Sequence, residues 1–246
     1  IGVFYLSKIL QYMKILNTQS YPVLNNNGFQ VISIDQNTFR QYESWIIQAY
    51  KEVFNASAWR EWVKCSLGCG FKTTFEESPD SCPKCSGAIE DFYSNTEISE
   101  SVIDVLSRSY FQCLLLLKWD TVAWFTWWWK DSIENINNEK LGLKKQEEYN
   151  RFILGILASK INTTSWEYYY QSETGVVPTY RARWIGAAIV GINEEFLRSN
   201  NDKVEAIIQR TSRQSPMYAI RANLWYSEVF SYEDLDERVL FARNNF

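Results

Sequence analysis

The stretch Ser172–Arg198, SETGVVPTYRARWIGAAIVGINEEFLR, decides how the rest of this 246-residue chain is read. Its first part has strand character and ends in a turn at Val177, Pro178 and Thr179. A basic loop at Tyr180, Arg181, Ala182 and Arg183 follows and opens into a helix. Ile185, Ala188, Ile189, Ile192 and Phe196 recur at three- and four-residue spacing, the mark of one buried helical face. A strand, a basic turn and a helix N-terminus together make an anion site. Unpaired backbone N–H groups and the positive end of the helix dipole converge there, and they suit a pyrophosphate better than any single side chain does.

Composition bounds what the remainder can be. The length allows one principal core with a small extra module. A net charge of −4 argues against a general nucleic-acid binder, although Arg181 and Arg183 make a local basic patch. No apolar run approaches the roughly 18 residues of a membrane span. Lys8 interrupts the first apolar run, so a secretory leader is not expected and a cytoplasmic location is. Met13-Lys14-Ile15-Leu16 reads like an ordinary bacterial start, so Ile1–Tyr12 are expected to belong to an over-extended reading frame. The chain has no histidine, which removes Ser-His-Asp and Cys-His catalysis and leaves cysteines and carboxylates as metal ligands.

Outward from the central stretch, residues 1–29 read as an extension, with an apolar, vaguely helical lead to Leu16 and a loop over YPVLNNNG. Gln30–Ile34 reads as a strand, and a helix capped by Asp35 or Asn37 runs to Phe54 with Phe39, Tyr42, Ile46, Ala49 and Val53 along one side. Residues 64–93 break the pattern. Cys65 and Cys69, then Cys82 and Cys85, lie in turn-rich sequence, and two such pairs are what a tetrahedral zinc site needs. Two disulfides would use the same four residues, but nothing marks the chain for export, and Cys113 sits in an apolar strand like a core thiol.

Beyond this insertion a helix from Ser99 to Ser109 is expected to bury Val102, Val105, Leu106 and Tyr110. Strands over 111–117 and 122–129 follow, joined by a tight turn. A helix over 146–159 is expected to face Tyr149, Phe152, Ile153, Ile156 and Leu157 inward. Strands over 166–171 and 204–210, a last helix opened by Ser215-Pro216, and strands near 227–232 and 238–242 complete the pattern.

The run from Glu173 to Gly186, E-x-x-V-x-P-x-Y-R-x-R-x-I-G, resembles the acetyl-CoA-binding segment of the GNAT acyltransferase superfamily, whose core pattern is R/Q-x-x-G-x-G/A. Arg181 and Gly186 fall on that pattern; Trp184 stands where its first glycine belongs. The likeness extends from about Gln30 to the C-terminus. It implies an α+β (mixed α/β) fold, a central mixed sheet flanked by helices, formed by residues 30–63 and 94–246 with the zinc ribbon 64–93 inserted.

The resemblance also implies an N-acetyltransferase that binds acetyl-CoA and an amine together. Thr174 and Val176 would border the pantetheine arm, with the Val176 N–H facing the thioester oxygen. Arg181, Ala182, Arg183, Trp184, Ile185, Gly186 and Ala187 would hold the pyrophosphate. Glu173 is the expected base. The family often places a tyrosine on the last helix as the acid; Arg221 stands there instead, and Tyr218 is the nearest substitute. A catalytically degenerate scaffold whose ribbon docks a protein or nucleic acid is the competing reading, and a homodimer is left open.

Trp119, Trp124, Trp128, Trp184 and Trp225 each fall where the family favours glycine. The chain has 11 Trp and 10 Gly, an unusual balance. UGA codons, read as glycine in some bacterial lineages and translated here as tryptophan, would account for it.

Overall fold

The computed structural model describes residues 14–15, 21–55, 59–108, 110–136, 146–161, 167–181, 185–200, 206–224, 226–231 and 238–244. Ile1–Tyr12, proposed above as an over-extension, lie outside them. The first half comprises β1 (Lys14–Ile15), β2 (Gln30–Ile34), α1 (Gln36–Phe54), β3 (Val63–Cys65), β4 (Lys72–Thr73), β5 (Ile89–Asp91), α2 (Asn95–Leu106), β6 (Gln112–Lys118) and β7 (Thr121–Ser132). The second half comprises α3 (Gln146–Ile161), β8 (Glu167–Val176), α4 (Ile185–Asn200), β9 (Ala206–Ser212), α5 (Pro216–Asn223), β10 (Ser227–Ser231) and β11 (Arg238–Asn244).

Eight strands form one mixed sheet in the order β1-β2-β6-β7-β8-β9-β11-β10, and β4-β3-β5 form a second, small sheet within the inserted segment. Every pairing in the large sheet is antiparallel except β8 with β9. Helices cover both faces. Cys113, Leu115 and Leu117 of β6 pack with α1, α2 and α3, while Leu114 and Leu116 pack with α4 and Met217 of α5. Burial on both sides explains why β6 reads as an unbroken apolar run rather than an alternating one. Each of its leucines contributes about 1.5–3 kcal/mol by leaving water.

Local chemistry fixes the helix starts. Asp35 Oδ1 accepts from the amides of Asn37 and Thr38, and the Thr38 hydroxyl oxygen accepts from the Asp35 amide, which begins α1. Ser94 and Glu97 form the same reciprocal box, so α2 begins at Asn95, four residues before the expected Ser99. The Ser215 hydroxyl accepts from the Met217 amide, and Pro216 takes the first helical position of α5.

Several expectations are corrected. Lys14–Ile15 is a strand paired with Ser33 and Ile32, not part of a helical lead. Pro22–Asn25 is a helical turn rather than loop, closed by Gly28 at φ +68°. Tyr110 lies beyond the end of α2 at φ +56° and points outward. Phe152 is 54% exposed because α3 rests on β10 and β11 through the narrow stripe of Ile153 and Leu157. The side chain of Tyr149 lies outside the described residues. The two strands expected over 166–171 and 204–210 extend to Val176 and Ser212.

The tryptophans divide by environment. Trp119, at the β6–β7 turn, is 85% exposed with φ +53°, a left-handed backbone that favours glycine. Trp124 and Trp128 are fully buried against the α4 face of the sheet, and the Trp124 indole donates to Thr174 Oγ1 at 2.9 Å. Trp184 and Trp225 lie outside the described residues. Trp119→Gly is expected to stabilise the protein by about 1 kcal/mol, since it relieves the turn and forfeits no burial. Trp128→Gly in the protein as written is expected to destabilise it by about 3–5 kcal/mol through the cavity it leaves. Denaturant unfolding of both variants checks this, and a neutral or stabilising Trp128→Gly would point to glycine as the natural residue there.

Candidate active site

The large sheet forks at its centre. Among the described residues, β8 pairs with β9 only through Tyr169↔Ile207, Tyr170↔Ile208 and Gln171↔Gln209. β8 then runs on from Ser172 to Val176 still paired with β7, while β9 runs on to Ser212 paired with β11. A register shift marks the parting: Trp128 pairs with Gln171 but Trp127 pairs with Glu173, leaving Ser172 as a bulged extra residue. A side chain of β7 and one of β8 hold the bulge. Gln171 Nε2 donates to Thr126 Oγ1 at 2.7 Å, and the Thr126 hydroxyl donates to the Glu173 carbonyl at 3.0 Å.

Backbone polarity beyond the bulge follows from the ladder. The Val177 amide donates to the Ala123 carbonyl on β7 at 3.0 Å. Amides alternate in direction along an antiparallel strand, so the Val176 N–H points away from β7, into the fork that β9 has vacated. Gly175 allows close packing here: a Cβ on it would come within 2.5 Å of Val53 Cγ1 on α1.

Two cavities flank Thr174. The larger, of about 210 Å³, lies between the end of β8, the start of α4 and the start of α5, and Thr174, Val176, Arg181, Ile185 and Gly186 line it with Gln214, Ser215 and Ile220. The smaller, of about 90 Å³, lies on the other side of the fork. Glu173 and Glu61 line it, with an aromatic wall of Tyr50, Phe54, Trp59, Tyr93 and Tyr170, and with Arg210 and Gln209 on the β9 side. Trp59, Thr174, Ser215 and Met217 border both cavities, so the two meet at the fork.

The sequence-derived residues distribute as follows. Glu173, Thr174 and Val176 come together at the fork. Ile185, Gly186 and Ala187 form the first turn of the 16-residue helix α4, whose leading amides have no helical partner. Gly186 lets that turn approach α5, since a Cβ there would meet Ile220 Cδ1 at 2.5 Å. Ala182, Arg183 and Trp184 lie outside the described residues. Arg181 borders the larger cavity, but its guanidinium donates to the carbonyls of Val176 at 2.9 Å and Val53 at 3.5 Å. It ties the end of β8 to the end of α1, and burial lowers its pKa.

Tyr218 borders neither cavity. Its hydroxyl accepts from Arg213 Nη1 at 3.0 Å and donates to Glu228 Oε2 at 3.0 Å, and its ring packs on Phe241. The run Ala49–Trp59 at the end of α1 resembles the family's acceptor-pocket border, and Trp59 does line the smaller cavity. Glu61 and Tyr93 carry no sequence signal beyond their positions, Glu61 just ahead of the cysteine segment and Tyr93 just after its last strand.

In the inserted segment, the sulfurs of Cys65, Cys69, Cys82 and Cys85 lie within 4.8 Å of one another, with Cys65–Cys85 and Cys69–Cys82 each at 3.4 Å. A tetrahedron of ~2.3 Å metal–sulfur bonds has edges of about 3.8 Å, so the donor set is compatible with zinc. Gly68 and Gly70 take the left-handed conformations that the first pair's turn requires. Crowding drives the thiols apart in acidity. Burial raises Cys82, but the Lys84 and Cys85 amides and the neighbouring sulfurs bring it down to about 7. The Gly87 amide lowers Cys85, yet the other three sulfurs outweigh it and push it up to about 12. A divalent cation is what lets all four ionise together. Cys113 is separate, fully buried in β6, and burial raises its pKa.

Among the described residues, no helix is long and apolar enough to cross a membrane. No protein-family model matches the chain, and no curated protein matches it in sequence. Solved structures do match its fold. A yellow fever mosquito protein assigned as arylalkylamine N-acetyltransferase 7 superposes with a TM-score of 0.51 at 10% identity, over 88% of this chain and 87% of its own. A mosquito arylalkylamine N-acetyltransferase-like 5b gives 0.50 at 7% identity, over 87% of this chain and 100% of its own. A Desulfovibrio desulfuricans protein assigned as an acetyltransferase of the GNAT family gives 0.47 at 8% identity, over 87% and 98%. At such identities the likeness to the two mosquito proteins is one of fold.

The cysteine cluster is expected to retain one divalent ion per chain, measurable by elemental analysis after gel filtration or by the thiolate charge-transfer bands of a Co²⁺-substituted sample. Cys85→Ser should abolish retention at limiting metal. Affinity should fall as pH drops, because protons compete for the sulfurs that the metal must bind.

Proposed function

We propose that this chain, whose fold is that of the GNAT acetyltransferases, is an acetyl-CoA-dependent N-acetyltransferase that passes an acetyl group directly to an amine of a small molecule or a protein. The parting of β8 from β9 after Gln171, with cavities on either side that meet at Thr174, carries this reading. Direct transfer needs two substrates to reach one point at the same time, which two joined cavities allow. The larger cavity suits the pantetheine arm and the smaller one the amine.

In this reading the amine nitrogen attacks the thioester carbonyl carbon. Negative charge develops on the carbonyl oxygen, where the Val176 N–H, already turned into the fork, stabilises it. Glu173 takes the proton that the ammonium must lose, directly or through water. The carbon–sulfur bond then breaks, the nitrogen releases its second proton to water as the neutral amide forms and leaves, and the thiolate takes a proton from solvent; the partners of Tyr218 make that hydroxyl a poor donor to the cleft. Leading amides of α4 receive the pyrophosphate, helped by Arg183 and Arg181. Arg181 acts also by holding the wedge in shape through the Val176 and Val53 carbonyls.

The inserted module binds zinc through Cys65, Cys69, Cys82 and Cys85. Zinc there supplies structural cross-linking, with no open position implied by four thiolate donors.

The scaffold alternative gains no support from the cavities, which a binding module would not need to join. Titration calorimetry with acetyl-CoA separates the two, with micromolar binding expected. Glu173→Gln should lower turnover, followed by thiol release, by about 10²–10⁴-fold while leaving acetyl-CoA affinity nearly intact. Unchanged turnover would remove Glu173 from the mechanism.

A further inference from the structure

The smaller cavity has a wall that the acyltransferase sheet does not supply. Glu61 sits between the end of α1 and the start of β3, only 8% exposed, its amide bonded to the Phe54 carbonyl at 2.9 Å. The inserted module grips its carboxylate. Lys72 on β4 donates to Oε1 at 3.1 Å, and Tyr93, just past β5, donates to Oε2 at 3.3 Å. Lys72 does so from outside the cavity, whereas Tyr93 lines it beside Glu61. A carboxylate has about four acceptor sites, so both bonds leave room for a further donor.

The surroundings state what that donor is. Tyr50, Phe54, Trp59, Tyr93 and Tyr170 present aromatic surface around a carboxylate pair, Glu61 and Glu173, with Arg210 as the cation on the β9 side. Aromatic faces and carboxylates both favour a cation. At about 90 Å³ the cavity is well below the ~300 Å³ of small drug-sized sites, so it takes the end of a chain rather than a bulky body.

We infer that the cysteine module is a working wall of the acceptor site: held by Lys72 and Tyr93, Glu61 receives the ammonium group of an unbranched primary alkylamine, free or as a side chain, and positions it for attack. This rests on the acyltransferase reading above. The sulfurs of Cys65 and Cys69 flank the turn between β3 and β4, and those of Cys82 and Cys85 precede β5, so a metal held by these four residues would order the strands that aim Glu61.

The test uses the full-length, zinc-loaded protein with acetyl-CoA and butylamine. Glu61→Gln and Lys72→Met should each raise the KM for butylamine at least tenfold, with a smaller effect on kcat and none on the KM for acetyl-CoA. Calorimetry of butylamine into the CoA-saturated protein should show the same weakening, and so should removal of zinc with a chelator, with acetyl-CoA affinity retained. The inference is overturned if acetyl-CoA binds but butylamine does not, or if butylamine binding is indifferent to Glu61, Lys72 and zinc. A fall in kcat at constant KM would also overturn it, by making Glu61 a base rather than a binding group. Failure of acetyl-CoA itself to bind would instead overturn the acyltransferase reading.

Discussion

Everything at the centre of this protein depends on one strand keeping one neighbour while losing the other. β8 can leave β9 after Gln171 only if the backbone groups at the parting find other partners, because unpaired buried amides and carbonyls are costly. Thr126 supplies part of that replacement by donating to the Glu173 carbonyl, and it is held in turn by Gln171 Nε2, whose Oε1 accepts from Arg221 of α5. Thr126, Gln171 and Arg221 are all buried, and the Arg221 guanidinium also lies over the Tyr226 ring at 4.4 Å from its centroid. The fork is thus held by side chains of β7, β8 and α5 acting together, and it is not a local accident of one strand.

That arrangement assigns a purpose to features that otherwise look unrelated. Gly175 brings α1 against β8, Gly186 brings α4 against α5, and Arg181 stitches the ends of β8 and α1 together. Each contact closes one side of the larger cavity. The smaller cavity is closed by residues at the edges of the inserted segment, whose own fold is carried by three short strands and a sulfur cluster rather than by an apolar core. Segments this short rarely hold a shape without such a staple.

Much of this was legible in the sequence, for identifiable reasons. The buried face of α4, the side of α1 from Phe39 to Val53 and the paired cysteines follow from spacing alone, and all are found as read. Glu173, Thr174 and Val176 were placed together by the resemblance, and the structure brings them to the fork. What spacing could not show is where a side chain turns once neighbours arrive. Tyr218 is one turn from the expected position yet is taken up by Arg213 and Glu228, and Phe152 fits the helical stripe but stays 54% exposed. Glu61 and Tyr93 are 32 residues apart and meet only because β3 and β5 pair; no local pattern carries that information. The missed start of α2 is a different kind of miss, since Ser94 and Glu97 spell a capping box in the sequence itself.

The entry and exit strands of the inserted segment are direct neighbours, with Val63 opposite Asp91. A module whose two ends meet can be added to, or lost from, a helix-to-helix connection at little cost in chain entropy, because the host backbone barely has to open for it. Evolution could therefore trade one such cassette for another at this doorway, reshaping the wall of the smaller cavity while the forked sheet stays as it was.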